Sequence, residues 1–495
     1  MSEQEIVECD WNPLAGFTPI ELEKVVRVKR FFEVVNGADD FREAFINGSF
    51  SQDQIDYLAE IGVDFDIRDL SLFWEDPEGQ LGHALLCGAK LEEMPTGLRE
   101  RIARAPLVSL WFRYLENKRR KNSFQQQWSF RIPQNPRFDA WRERRIAATH
   151  SELGHFGLFI DHPILAIELT EGCSKGCWFC AFAANKLSGV LDFETNRQYF
   201  RDVATALTEL FGRNEAAMTL LYYGTEPHDN PHYTDYLKEF ADITGHLTCT
   251  ATAAPDDVEW VRGLLTLYRE KDLPWPRMSV LTRKMLDRIH RGFTPDELRD
   301  VEMIMQMKSE SRPKVSGGRI LEDRAGLRER EDGTYLDKVV PQGSIACVSG
   351  FLINLLKKTI QVVSPCYTSQ KWPFGYRIYD SATFTDASDF KSVMETLIER
   401  CMPVTPPADD IVRFRDDLIF KPATGGFDLV APNQVHHFKG ESLWGPIGAL
   451  AAEGEHTFRQ IGEQLMANGE SNPLLIGMAL NKLFDGGFLD EVKLH

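Results

Sequence analysis

Three cysteines close together constrain this chain more than anything else in it. Cys173-Ser174-Lys175-Gly176-Cys177-Trp178-Phe179-Cys180 reads C-x3-C-x2-C, and it follows the apolar run from Pro163 to Leu169. The fold must therefore end a buried strand in a loop that lets three thiols converge. Three thiolates on so short a loop suit a soft metal centre, but a closed zinc or iron–sulfur site takes four ligands. A zinc site fits poorly, because such sites come as two ligand pairs and no fourth Cys or His lies at short spacing after Cys180. A 4Fe–4S cluster held by three thiolates keeps one iron open to an outside ligand. The plainer alternative is chance spacing of buried structural cysteines.

Composition narrows the setting. The net charge of -18 lacks the basic footprint of a nucleic-acid binder, so no nucleic-acid partner is expected. Residues Met1 to Cys9 are acidic and polar, with no apolar core of a signal peptide. No apolar run reaches the roughly 18 residues that span a bilayer, so no membrane association is expected. Nine cysteines without a secretion signal read as reduced thiols in the cytoplasm.

Along the chain, periodicity divides four regions. Residues 1–105 read as a helical region, with helices over Glu21–Val35, Asp40–Ile46 and Gln52–Ile61. Residues 106–160 form a connecting segment where Lys118 to Lys121, Arg142, Arg144 and Arg145 interleave with Trp128, Phe130, Phe138 and Trp141. That segment is either a solvated connector or a dock for an acidic peptide. Residues 161–402 alternate strands with helices, the pattern of a parallel α/β sheet. Strands are expected at Ile164–Leu169, Met218–Tyr223, His246–Ala253 and Arg277–Leu281, with a last pair at Ser344–Cys347 and Thr359–Val363. The proline-rich break Met402 to Pro407 opens a final domain, 403–495. Its helices at Thr457–Met466 and Asn472–Phe484, followed by Gly486-Gly487, resemble a winged helix. The second of these helices is almost wholly apolar, which favours a protein or peptide partner over DNA.

Further down the chain the cysteine loop acquires company. Gly224-Thr225-Glu226-Pro227 follows the second expected strand. Together the two motifs resemble the radical S-adenosylmethionine (SAM) superfamily, and the strand count then implies its partial (β/α)6 TIM-like barrel. The resemblance implies that Cys173, Cys177 and Cys180 hold a 4Fe–4S cluster and that Phe179 belongs to the cysteine motif. It implies further that Gly224, Thr225, Glu226 and Pro227 receive the SAM ammonium. Thr225 stands where the superfamily usually has glycine. Thr250 and Thr252 on the third strand, Ser279 on the next and Arg283 at its exit are the remaining candidates for SAM contacts. The cofactor would carry the hard chemistry, while the protein supplies positioning.

A second stretch narrows the reaction. Ser364-Pro365-Cys366, followed by Trp372-Pro373-Phe374-Gly375-Tyr376-Arg377, resembles the radical SAM peptide epimerases of proteusin-type ribosomal natural products. That family converts L-residues to D-residues in a precursor peptide, and one cysteine returns the hydrogen atom. Cys366 is the residue mapped to that role, at the exit of the expected sixth strand and facing the barrel mouth. Phe32-Glu33-Val34-Val35, Asp40-Phe41-Arg42 and Tyr57 to Asp64 resemble the leader parts of certain precursor peptides. The implied partners are a precursor peptide with its leader and an external electron donor of flavodoxin or ferredoxin type. The other cysteines, Cys9, Cys87, Cys249, Cys347 and Cys401, form no auxiliary-cluster signature. The rivals are a radical SAM enzyme that excises or cross-links peptide residues, and a winged-helix regulator that uses a cluster as sensor.

Overall fold

The computed structural model describes residues 16–75, 81, 91–129, 134–270, 276–307, 317–320, 344–440, 442–469 and 472–492. The fold is mixed α/β. Its contacts divide the chain into two compact units, Met1–Trp128 with Cys249–Arg312, and Ser129–Thr248 with Pro313–His495. Cys9, Cys87 and Phe130 fall outside the described residues.

The helices α1 (Pro19–Gly37), α2 (Asp39–Asn47), α3 (Gln52–Glu60), α4 (Thr96–Ala103) and α5 (Pro106–Ser129) come first. Next are α6 (Pro136–Leu153), β1 (Leu165–Glu168), β2 (Thr170–Glu171), β3 (Gly189–Val190), α7 (Phe193–Phe211) and α8 (Tyr233–Thr244). Then follow β4 (Ala251–Thr252), α9 (Val258–Glu270), β5 (Arg277–Val280), α10 (Arg283–Gly292) and β6 (Glu302–Met305). After these come β7 (Gly350–Asn354), β8 (Thr359–Pro365), β9 (Tyr376–Thr383) and α11 (Ala387–Cys401). The C-terminal part holds β10 (Ile419–Ala423), β11 (Gly426–Val430), β12 (Val435–Lys439), α12 (Trp444–Glu453), α13 (Phe458–Ala467) and α14 (Pro473–Asp485).

In the first unit, α1 starts at Pro19, two residues before the Glu21 at which periodicity sets it. Thr18 and Glu21 close a reciprocal capping box, and Pro19 supplies a pre-set first turn. Ser51 and Gln54 do the same for α3. The apolar side of α1 enters a core shared with α2, α3 and α5, where Phe32 stacks on Trp111 at 4.7 Å between centroids. Polar side chains are buried here too. The Lys29 ammonium donates to Glu33 at 2.6 Å and to the Leu298 carbonyl at 3.0 Å, and His290 Nε2 lies 3.1 Å from Glu33. Arg30 donates to the carbonyls of Ile61, His290 and Phe293. The leader-like segment is thus part of this unit's core. Strands β4, β5 and β6 form a parallel sheet whose helices α9 and α10 make the crossovers.

In the second unit the sheet order is β1-β7-β8-β9, with β1 parallel to β7 and the rest antiparallel. Leu220 bridges Ala166 in parallel on the far side of β1. Three expectations change. Met218–Tyr223 and His246–Ala253 shrink to this one bridge and to β4. The strand expected at Ser344–Cys347 lies instead at Gly350–Asn354. Thr359–Pro365 is antiparallel to it, because residues 355–358 turn too tightly for a parallel crossover.

The connecting segment is also corrected. Phe138, Trp141, Arg142, Arg144 and Arg145 lie on α6 and are buried. Arg144 and Arg145 both pair with Glu491, and Arg142 donates to the His162 carbonyl at 2.5 Å. These cations hold structure together and offer no dock. The side chains of Arg119, Arg120, Lys121 and Trp128 lie outside the described residues; Lys118 pairs with Glu302 at 2.7 Å.

The C-terminal part packs the antiparallel sheet β10-β11-β12 on three helices, with Phe427, Phe438, Trp444, Ile461 and Leu483 in its core. Leu489, after Gly486-Gly487, bridges Phe414. Among the described residues, no helix is long and apolar enough to cross a membrane.

Candidate active site

The cysteine loop leaves the end of β1 through a narrow neck. β2 pairs with β3, and Cys173 N–H donates to the Asn185 carbonyl at 2.9 Å. Gly172 sits in this neck with φ of 80°, and a side chain there would strike the Lys186 carbonyl. Cys173, Cys177 and Cys180 are all part-exposed free thiols. Lys175 N–H points at Cys173 Sγ at 3.5 Å. Phe179 meets Trp178 edge to face at 5.6 Å.

The thiols lie near enough to repel one another as thiolates. Burial first, then Cys173 and Cys180, push the Cys177 thiol up to about 11. Burial also raises Cys173, with Asp229, Glu226 and Cys180 adding to it. Both thiols are therefore protonated at neutral pH, as burial makes any thiol. Among the described residues no group of three ligand side chains is gathered tightly enough for a single metal ion. By donor chemistry alone, three cysteine thiols on one loop are ligands that a 4Fe–4S cluster could take.

The second motif is tied to the first. Gly224 N–H donates to Glu168 Oε1 at 2.9 Å, and Asn354 Nδ2 donates to Glu168 Oε2 at 3.1 Å. Burial raises the Glu168 carboxyl, against these two donors. Glu226 is buried and caps the turn after it, accepting from His228 N–H at 3.2 Å. Pro227 opens that turn. Asp229 accepts from Ser174 N–H at 2.8 Å and from Ser174 Oγ at 2.5 Å. Asn230 Nδ2 donates to the carbonyls of Leu169 and Leu191. The segment from Gly224 through Thr225 to Asn230 is thereby fixed against both ends of the cysteine loop.

Cys366 lies elsewhere on the sheet than the sequence implied. It follows β8, whose end is level with the start of β7 and not with the end of β1. The residue is fully buried, and its N–H donates to the Gly375 carbonyl at 2.9 Å. Around it Arg377 donates to Glu152 at 2.5 Å, to Asp416 at 3.1 Å and to Asp417 at 3.0 Å. Burial holds the thiol well above its ordinary range, so it stays S–H at neutral pH. On the other side of the sheet a small apolar cluster gathers Ala166, Tyr223, Val348, Val363, Cys347 and Tyr376. Phe182, two residues beyond Cys180, packs on Tyr223 at 4.5 Å.

Thr252, Ser279 and Arg283 belong to the other unit. Thr252 Oγ1 accepts from Ala254 N–H at 2.9 Å, and Thr250 Oγ1 meets Tyr268 Oη at 2.8 Å. Ser279 pairs with Ile304 across β5 and β6. Arg283 opens α10 and lies over the rings of Phe41 and Tyr57 at 5.0 and 5.1 Å.

Comparison with known proteins adds kinship without function. Over 480 residues the chain is 33% identical to the uncharacterized protein y4wI of Sinorhizobium fredii, covering 96% of this chain and 89% of that one. The chain belongs to the y4wI family. The match spans residues of both units. No family model and no solved structure matches the chain.

Sequence reasoning missed Glu168, Asp229, Asn230 and Arg319. Glu168 left one trace, an acid at the end of an apolar strand. The others act across long loops and leave no local pattern.

Proposed function

We propose that this chain is a radical SAM enzyme that converts L-residues to D-residues in a ribosomally made precursor peptide. The observation that carries the reading is the fixing of the Gly224–Asn230 segment against the cysteine loop by Glu168, Asp229 and Asn230. A cluster ligand set and an ammonium-binding segment must share one frame if SAM is to chelate the open iron. The parallel β-α-β units support a partial (β/α)6 barrel as the parent architecture, and the C-terminal part supports a winged helix.

In this reading Cys173, Cys177 and Cys180 hold the 4Fe–4S cluster. The bound cluster and SAM would supply the 5′-deoxyadenosyl radical. Glu226 and the backbone of Gly224 to Pro227 would hold the SAM ammonium. Cys366 returns a hydrogen atom from its thiol to the opposite face of the substrate Cα. Its raised pKa suits that step, since a hydrogen-atom donor must carry its hydrogen. Its complete burial means that the 367–375 turn must shift for a peptide to reach it. SAM is consumed, because the hydrogen returned is not the one removed. An external electron donor of flavodoxin or ferredoxin type would supply two electrons per residue inverted, one to the cluster for SAM cleavage and one, with a proton from solvent, to turn the Cys366 thiyl back into the thiol.

The test is anaerobic reconstitution with iron and sulfide, followed by reduction with dithionite in the presence of SAM. The wild-type chain should bind four irons and release 5′-deoxyadenosine. The Cys173→Ala, Cys177→Ala, Cys180→Ala triple variant should do neither. A triple variant that still cleaves SAM would remove this loop from the reaction.

A further inference from the structure

A short strap, Gly317-Gly318-Arg319-Ile320, crosses the cysteine loop. Arg319 N–H donates to the Cys180 carbonyl at 3.0 Å. Its guanidinium donates through Nη1 to the Cys177 carbonyl at 3.1 Å and through Nη2 to the Ala184 carbonyl at 2.5 Å. One residue thus binds three carbonyls of the loop, two of them on the cysteines themselves. The strap also holds the turn after Cys366. Gly318 N–H donates to the Pro373 carbonyl at 3.2 Å, and a Cβ on Gly317 would sit 3.2 Å from Ala181 Cβ and 3.4 Å from Thr368 Oγ1. Gly318 has φ of 49°, and a side chain there would strike the Cys180 and Ala181 carbonyls.

We infer that Arg319 is a positioning residue that fixes the cysteine loop in its cluster-receiving shape and couples it to the turn carrying Cys366. The inference rests on reading the loop as a cluster site. The guanidinium suits the task, because its planar fork meets two carbonyls in a set geometry. A guanidinium hydrogen-bonded to the loop backbone would also raise the reduction potential of a cluster held there, since net charge and nearby hydrogen bonds set that potential.

The test uses the full chain in three forms: wild type, Arg319→Lys and Arg319→Gln. Hydrogen exchange of the 173–184 amides is measured first, without metal. Iron and sulfide content, midpoint potential and SAM affinity are then measured on reconstituted protein. Arg319→Gln should speed exchange in the loop, bind less iron, shift the potential negative and weaken SAM binding about tenfold. Arg319→Lys keeps the charge but not the fork. It should hold a potential near wild type while its loop exchanges faster. A merely structural role would lower the melting temperature in both variants without separating potential from exchange. Wild-type exchange, iron content and potential in Arg319→Gln would overturn the inference. Should wild type itself load no cluster, the cluster reading fails, and the metal-free exchange rates alone decide whether Arg319 orders the loop.

Discussion

At the scale of single residues, the thiol and the carboxylate divide the work. Cys366 is buried and protonated, so its value lies in the hydrogen atom it carries. Cys366→Ala should keep the cluster and still form 5′-deoxyadenosine with precursor present, yet yield little D-residue. Serine should not rescue it, because an O–H bond is too strong to give hydrogen to a stabilised Cα radical. Chiral amino-acid analysis of the hydrolysed product checks both variants. A D-residue yield from Cys366→Ala equal to wild type would take this thiol out of the reaction. In the proposed reading Glu226 would act differently, through a charge-assisted contact with the SAM ammonium. Glu226→Gln should weaken SAM binding about tenfold, or about 1.4 kcal/mol, measured by equilibrium dialysis. Unchanged affinity would move the ammonium site elsewhere.

Between elements, buried charge does the joining. Glu33 on α1 is ionised, held down to about 2 by Lys29 and His290 against the burial that opposes it. Burial lowers the His290 pKa, so His290 is neutral at pH 7 and donates through Nε2. Both groups shed protons more readily folded than unfolded. Their stabilisation is therefore present at neutral pH. It declines as pH falls below 6.5 for His290, and from 4.5 toward about 2 for Glu33. Urea unfolding followed from pH 7.5 to 5 should show stability falling, more steeply in wild type than in His290→Gln. Glu33→Gln should cost about 3 kcal/mol at pH 7, because Lys29 is left buried and uncompensated. Arg377 plays the matching part in the second unit. Arg377→Met strands Glu152, while Asp417 keeps Arg415, and should cost a similar amount, about 3 kcal/mol by denaturant midpoint. A cost under about 1 kcal/mol for either variant would mean that water reaches these groups.

For the whole molecule, the question is where a leader peptide could bind. Deleting Ile20–Trp74 removes α1 and much of its core, and deleting Ile411–His495 takes Glu491 from Arg144 and Arg145 and both Asp416 and Asp417 from Arg377, which keeps Glu152. Both truncations should unfold their unit, which circular dichroism would show, so neither isolates peptide capture. Point changes on α14 are the better probe, since Leu474, Leu475 and Met478 are exposed there. Replacing these three with Ser, Gln and Gln should weaken precursor binding in fluorescence anisotropy and leave the melting temperature unchanged. Equal affinity would clear this helix of the role.

Legibility in the sequence followed the range of the interactions. The helices α1 to α3 are readable because Gly37, Gly48, Ser51 and Gly62 mark their ends within a few residues, while the Thr18 cap of α1 goes unread. The cysteine loop and Gly224–Pro227 were readable because each is contiguous. The β7–β8 hairpin was misread, since the apolar run at Ser344–Cys347 resembles a strand as well as Gly350–Asn354 does. That slip turned β8 around and moved Cys366 away from its expected place. The buried cations of α6 looked like a surface patch, because their partner Glu491 lies far along the chain.

One measurement reaches the central claim most directly. The enzyme is produced together with a candidate precursor peptide in deuterated water, and the peptide is sequenced by tandem mass spectrometry. In ordinary water the product should have the precursor's mass. In deuterated water each inverted residue should carry one deuterium at Cα, delivered from a solvent-exchanged thiol. A product whose mass has changed in ordinary water, or D-residues that carry no deuterium, would contradict epimerisation by hydrogen return from a cysteine.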